Sequence, residues 1–428
     1  MFISERSRKR RPPWWLVAVG AALLLAVVTY LVISARTGDV RRGTKVEFTP
    51  LAPKPVAPSG TDWPFYHYDL AHRAYLPAKL RPPYRRTWLY GGNVLMEFPP
   101  IIADGRLFFI RNNGSLYALD ADSGKVEWKR RVGRCAASSP AYADGIVYTT
   151  VLAADANCSS RGGTGRVEAV RATTGKRVWR RLLASRTESS PIVNDGMLYL
   201  GSESGTLYAL RTRDGTVKWT HEVGGAIKAS PALEGGTLYF GDYSGRMNAV
   251  WAKSGNGRWS ASTSGAKLGF SSGQFYSTPA VAFGRVYAGN TDSKIYSFGA
   301  KGGDLAWSKS TGGYVYSSPA AASFPKLGPT VYIGSYDGTL YALDARTGST
   351  RWTAQGGGRI SGGVSVIGHV AYFADLDSKS THGVDARTGK RVFSFPRGAY
   401  NPVVSDGQRI YLTGYGSVTA LEPRGARP

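Results

Sequence analysis

The sequence predicts an all-β fold: an eight-bladed propeller of four-stranded antiparallel blades, preceded by one N-terminal transmembrane helix. Three observations carry the prediction. A stretch from Ala342 to Trp352 recurs along the chain at a period in the forties. The aromatic that ends each copy occurs eight times, at Trp88, Trp128, Trp179, Trp219, Trp259, Trp307, Trp352 and Phe393. Finally, 54 glycines among 428 residues suit many short strands joined by tight turns.

The repeat has a physical logic. Ala342 to Asp344 ends a strand, Ala345 to Gly348 turns, and Ser349 to Trp352 starts the return. Gly348 is expected in a positive-φ position that a residue with a Cβ enters only at a cost. Asp344 and Thr347 are expected to hold the turn with their side chains. The echoes are Ala118…Asp120…Gly124…Trp128, Ala169…Gly175…Trp179, Ala209…Gly215…Trp219, Ala249…Gly255…Trp259, Ser297…Gly303…Trp307 and Gly383…Asp385…Gly389…Phe393.

At the N-terminus, residues 1–12 form a basic tail and residues 13–35 an uncharged apolar run opening on Trp14 and Trp15. A helix of this length rises roughly 30 Å, the thickness of a bilayer's hydrocarbon core. The expectation is therefore an uncleaved single-pass signal anchor, with the tail cytoplasmic and the propeller extracytoplasmic. A cleaved signal peptide is the weaker reading, because the apolar run is too long and Ile33-Ser34-Ala35-Arg36 is a poor small-residue cleavage site. Residues 36–60 carry Pro50, Pro53, Pro55 and Pro58 and read as an extended linker. Residues 61–83 hold Trp63, Phe65, Tyr66, His67, Tyr68 and Tyr75, too many aromatics to lie free in solvent, and read as a cap or plug.

The propeller itself is expected over residues 84–428, each unit supplying four strands, as in the Ser189 to Trp219 unit. Prolines at 140, 191, 231, 279, 319 and 402 open first strands, where no ladder hydrogen bond is needed. The last unit supplies three strands, and Trp88 belongs to a fourth strand with no preceding three. The economical solution is a ring closed by the Trp88 strand, leaving no open edge.

These residues resemble the pyrroloquinoline quinone (PQQ) repeat family, whose docking motif A-x-D-x-x-T-G-x-x-x-W matches across about residues 61 to 425. Asp62-Trp63-Pro64…Tyr68-Asp69…Arg73 is similar to the opening segment of such propellers. The resemblance implies that each strand-ending aromatic packs on the neighbouring blade. The family includes quinoprotein alcohol dehydrogenases, the β-barrel assembly lipoprotein BamB, and anchored or sensor-linked propellers. For the dehydrogenases it implies a quinone under a ring of two adjacent cysteines and a Ca²⁺ held by acidic and Asn ligands. This sequence has no adjacent cysteines, and Glu97 and Glu188 have no Asp/Asn cluster beside them. The expectation is therefore a non-enzymatic, membrane-tethered binding or assembly scaffold with no PQQ, Ca²⁺ or other cofactor and no catalytic or metal-binding residue. The alternatives are a PQQ/Ca-dependent dehydrogenase and a binder of anionic envelope polymers.

A formal net charge of +25 points to an acidic partner without choosing one. The partners expected are the cytoplasmic membrane through the chain's own helix, and envelope proteins or anionic envelope polymers, not nucleic acid. Longer connections at 152–165, 260–274 and 375–381 open on one face, whereas 322–329 opens on the other. Three residues before strand-opening prolines lie Glu97, Glu188, Lys228, Tyr276 and Tyr316, placed to line a pocket at the channel mouth, though a solvated rim without a ligand is the simpler reading. His67, His221, His369 and His382 are scattered and read as surface or packing residues. Cys135 and Cys158 fall in loops of one face and are expected to form a structural disulfide.

Overall fold

A computed structural model describes residues 13–37, 39, 45–50, 62–154, 158, 163–263 and 273–425. The chain divides into two compact units, residues 1–39 and 40–428.

The first unit contains one helix, Trp14–Thr37. The basic tail lies outside the described residues. Among the described residues, no helix is long and apolar enough to cross a membrane. This corrects the expected transmembrane signal anchor and the single-pass, membrane-embedded placement built on it.

The second unit is a ring of eight four-stranded antiparallel sheets. Blades 1 to 7 follow in chain order over residues 101–131, 141–182, 192–222, 232–262, 280–310, 320–355 and 365–395. Blade 8 takes Val404–Ser405, Ile410–Thr413 and Val418–Pro423 from the C-terminal end and its outer strand, Tyr84–Tyr90, from the front of the domain. Tyr84–Tyr90 runs antiparallel to Val418–Pro423, with Trp88 opposite Ala420. The ring is closed as the strand count requires, and every blade has its four antiparallel strands.

The repeat does what its residues demand. Asp344 accepts hydrogen bonds from the Arg346 and Thr347 amides at 2.9 and 2.8 Å, and Gly348 has a φ of +74°. On the return strand Trp352 stands opposite Ala342 and Thr350 opposite Leu343, so Arg351 is the extra residue of a bulge. Bulges of this kind re-aim the following side chain. Here they turn the indole onto the next blade, where the turn glycine forms its seat. A Cβ on Gly348 would lie 2.7 Å from Cδ2 of Trp307, and one on Gly215 would lie 2.6 Å from Cε3 of Trp179. Each indole also donates to a carbonyl of that same turn. Trp88 donates to Ala121, Trp128 to Ala172, Trp179 to Thr212, Trp219 to Ala252, Trp259 to Ala300, Trp307 to Ala345 and Trp352 to Ala386, all within 2.6–3.2 Å.

Phe393 is the exception, and the closure explains it. The turn on which it would dock lies between the third and fourth strands of blade 8, where the chain ends meet. Arg424 donates to the Pro83 carbonyl there. With no turn glycine to seat an indole, Phe393 packs edge-on against Tyr84 and Tyr372 instead.

Residues 62–80 plug the ring. Trp63 bridges Ile102 of blade 1. The carbonyls of Pro64, Leu70, Ala71, Arg73 and Ala74 then accept from the first strands of blades 2, 4, 5, 6 and 7, through the amides of Tyr142, Leu233, Val281, Ala321 and Val366. Tyr75–Leu76 adds a fifth, parallel strand to blade 7. Four plug residues other than glycine, His67, Tyr68, His72 and Ala74, have positive φ, so the segment is coiled tightly by its surroundings and not by its own propensity. Part of the expected linker is packed as well: Arg285 donates to the carbonyls of Val46 and Glu47, and Phe48 stacks near Phe283. Residues 51–60 lie outside the described residues.

Candidate functional site

The first strands are shorter than the sequence pattern implies. In blade 3 the strand is Ile192–Asn194, leaving Ser189, Ser190 and Pro191 outside the ladder. Their polar groups are used around the ring instead. Ser230 donates to the Ser190 carbonyl at 2.7 Å, Ser277 to Ser317 at 2.8 Å and Ser139 to Pro99 at 2.7 Å. The Thr278 amide donates to the Ser318 hydroxyl at 3.0 Å, and Asn401 reaches the Met96 carbonyl at 2.9 Å. This belt of hydroxyls ties neighbouring blades at the channel mouth. Its signal in the sequence was the Ser or Thr before each proline, which reads as strand-opening chemistry until the ring is assembled.

Within the belt sits a cavity of about 200 Å³ whose floor is Tyr66 of the plug. Tyr66 is buried, its hydroxyl donates to Ser318 at 3.3 Å, and burial pushes its pKa up to about 12. Glu97, Lys228, Tyr276 and Tyr316 line this cavity, together with Tyr336 and Tyr400. Of the five residues singled out by their spacing from the prolines, four face one space. The fifth, Glu188, lies behind Lys228 and accepts from it at 2.8 Å. Sequence spacing did not identify Tyr336 and Tyr400: Tyr336 comes from the turn between second and third strands, and Tyr400 from the blade 7 to blade 8 connection.

The aromatic wall is continuous. Tyr276 and Tyr316 meet edge-on with centroids 5.6 Å apart, and Tyr316 and Tyr336 stand 4.9 Å apart. Charge is unevenly committed. Lys228 contacts Glu188 and also Glu203 at 3.2 Å, and Arg186 contacts Glu203 at 3.2 Å. Burial opposes the charge on Lys228, but Glu188 and Glu203 outweigh it and hold the ammonium above its ordinary pKa. Glu97 accepts only from Asn112, at 3.1 Å, among the described residues. Tyr276 is held neutral well above the usual phenol range, first by burial and then by the fields of Glu188 and Glu97.

Among the described residues no three His, Cys, Asp or Glu side chains converge, whereas Ca²⁺ takes six to eight oxygens. Glu188, one of the two acidic candidates, is already committed to Lys228. Cys135 and Cys158 are joined to each other, 23 residues apart, with Cα atoms 5.1 Å apart. They pin the connection into blade 2 to its own insertion. The histidines serve packing. His67 and His72 are buried in the plug, and burial lowers their pKa to about 3 and about 4. His382 contacts Asp375 at 2.8 Å, and His369 stands against Phe324. A second cavity, of about 950 Å³, opens beside the plug at blades 3 and 4, between Phe65, Leu70, Val193 and Leu233.

Ring, docking glycines, closing strand and plug together define an eight-bladed propeller of PQQ-type repeats. The chain belongs to the family described as outer membrane protein assembly factor BamB, whose profile matches residues 85–160, 150–324 and 292–427. It is 29% identical over 140 residues to the outer membrane protein assembly factor BamB of Moranella endobia (strain PCIT), a match covering 30% of this chain and 34% of that protein. The match thus spans about a third of that curated relative's length. The crystal structure of BamB from Moraxella catarrhalis superposes with a TM-score of 0.62 at 17% identity, over 79% of this chain and 100% of that one. Quinohemoprotein alcohol dehydrogenase from Comamonas testosteroni superposes with a TM-score of 0.69 at 15% identity, over 87% of this chain and 82% of that one. At these identities the two structures share the fold with this chain and nothing more.

Proposed function

We propose that the protein is a non-enzymatic scaffold that takes part in the assembly of envelope proteins, presenting the face on which the blade-to-blade connections open. The observation that carries this reading is family membership: the assembly-factor profile runs through every blade, not one local motif. The mouth supports it, because many of its polar groups are spent on belt bonds and on the Glu188–Lys228–Glu203 network. A propeller fold alone would not decide, since the same architecture serves dehydrogenases.

The test is cross-linking of the full chain in intact envelopes followed by affinity capture. Enrichment of β-barrel assembly proteins, cross-linked to the connection face, is the expected result. Stoichiometric uptake of quinone and Ca²⁺ with dye-linked alcohol oxidation would overturn it, as would cross-links confined to the opposite face. One observation favours a second reading, a binder of anionic polymers. The outer strands of blades 8, 1 and 2 expose Arg86, Lys129, Arg131, Arg177 and Arg180 on adjoining edges. Steeply salt-dependent retention on an anionic glycan, without protein capture, would select that reading.

A further inference from the structure

We propose that the channel-mouth cavity is a receptor for an alkylammonium group, walled by Tyr276, Tyr316, Tyr336 and Tyr400, floored by Tyr66 and countered by the Glu97 carboxylate. Three features converge on a cation. Aromatic faces attract a cation through their quadrupole when it lies within about 6 Å of the centroid, more strongly where water is excluded. Here five tyrosines surround one small space.

The second feature is charge. In a chain with a net charge of +25 the mouth is acidic: Lys228 and Arg186 pair with Glu188 and Glu203, Arg359, 5.9 Å from the Tyr336 ring, pairs with Asp377, and Glu97 is the carboxylate left in excess. The internal cation does not fill the cavity's need. Lys228 is drawn aside into two carboxylates at 2.8 and 3.2 Å, its ammonium 5.5 Å from the Tyr243 ring. Glu97 faces the cavity with no ion-pair partner among the described residues, only the neutral Asn112 amide.

The third feature is size. At about 200 Å³ the cavity is smaller than the roughly 300–1,000 Å³ of clefts that engulf drug-sized ligands. It suits the end of one side chain or a small free ammonium. Glu97 also disfavours an anionic guest. The tyrosine hydroxyls could donate to one, but Glu97 would repel it, and Lys228 is held by its own carboxylates.

The inference stands apart from the scaffold reading, because ammonium binding can be measured without any envelope protein. Calorimetric titration of the full chain uses tetramethylammonium and N-acetyl-lysine methylamide as cations, with butyrate as the anionic control. Saturable 1:1 binding of either cation, and none of butyrate, is expected. Binding of tetramethylammonium alone assigns the site to free ammonium compounds, and binding of the lysine amide assigns it to a partner's lysine. E97Q, which keeps the Asn112 hydrogen bond, should weaken binding at least ten-fold. Y316L should do the same while leaving the circular dichroism spectrum unchanged. Failure of both cations to saturate, or E97Q binding within two-fold of the parent, would overturn the proposal. Equal binding of butyrate would overturn it too.

Discussion

Replacing Gly348 by Ala separates the two reasons for a glycine in the docking turn. Gly348 and Gly145 share a φ of +74°, but Gly145 has nothing within 4 Å of its ideal Cβ, whereas a Cβ on Gly348 would stand 2.7 Å from the Trp307 indole. At both positions alanine incurs the left-handed penalty, about 1–2 kcal/mol, partly offset by the lower entropy of the unfolded chain, about 0.4–1 kcal/mol. Only at 348 must a fully buried tryptophan also move. Overpacking of that kind costs about 1–3 kcal/mol. If the ring shifts far enough to break its 3.1 Å bond to the Ala345 carbonyl, a buried polar pair goes unsatisfied, at about 1–3 kcal/mol. G348A should therefore lose roughly 1–5 kcal/mol, more if the bond breaks, and G145A about 0–1.6 kcal/mol. Chemical denaturation is the suitable assay, because at roughly 2.1 cal/mol/K per residue a ring of this size shifts its Tm by only about 1 °C per kcal/mol. Equal losses in the two variants would refute the seat as the reason for the glycine.

Two further outcomes are expected. The disulfide closes a loop with a sequence separation of 23, so the chain-entropy relation gives about 3 kcal/mol of stabilisation; the C135S/C158S variant should lose that amount in urea, and an unchanged midpoint would show that the bond contributes nothing. His67 is buried neutral with a pKa lowered to about 3, first by burial and then by His72. Between pH 6.5 and 3 the unfolded chain therefore binds a proton at this site that the folded one refuses, and stability falls as pH falls through this window; from pH 7 to 5 the share of His67 is about 2 kcal/mol, and His72, lowered to about 4, adds a similar share. H67Q should flatten that slope whatever its effect at pH 7, and a parallel slope would refute the assignment.

Most of the ring was legible because its chemistry is local. Gly348, Asp344 and Trp352 lie within nine residues of one another, and their spacing gave the turn and the return strand; docking on the neighbouring blade came from the family resemblance, and the bulge at Arg351 was not anticipated. Closure followed from counting, since an orphan Trp88 strand and a three-stranded last unit leave one economical solution. The plug was legible as buried but not as a conformation. Its left-handed residues are His67, Tyr68, His72 and Ala74; positive φ is uncommon for any residue carrying a Cβ, and for Tyr68 and Ala74 no propensity favours it. The parallel pairing of Tyr75–Leu76 with blade 7 is likewise set by the channel. At the mouth, the three-residue offset from the prolines brought Glu97, Lys228, Tyr276 and Tyr316 together. Tyr336 and Tyr400 were out of reach of any single-strand period because they arrive from other connections. The N-terminal apolar run shows the opposite failure: hydropathy and length suggested a span that no described helix fulfils.

The blade 7 to blade 8 joint links ring closure to the mouth. It lacks the indole seat that fastens the other blades, because the chain ends occupy the turn where the glycine would be. Three substitutes gather there. Tyr84 and Tyr372 share a 2.7 Å hydrogen bond between their hydroxyls, Phe393 packs against both rings, and Tyr75–Leu76 extends blade 7 by a strand. Each comes from the segment between plug and closing strand or packs directly on it, so plug and closure are one continuous fastening. Tyr400 leaves this same joint, its backbone pressed against Gly362 where a Cβ could not fit, and forms one wall of the cavity. Tyr66, in the plug, forms the floor. The walls of the mouth are therefore set by the contacts that close the ring, which gives the cavity a fixed shape before any partner arrives.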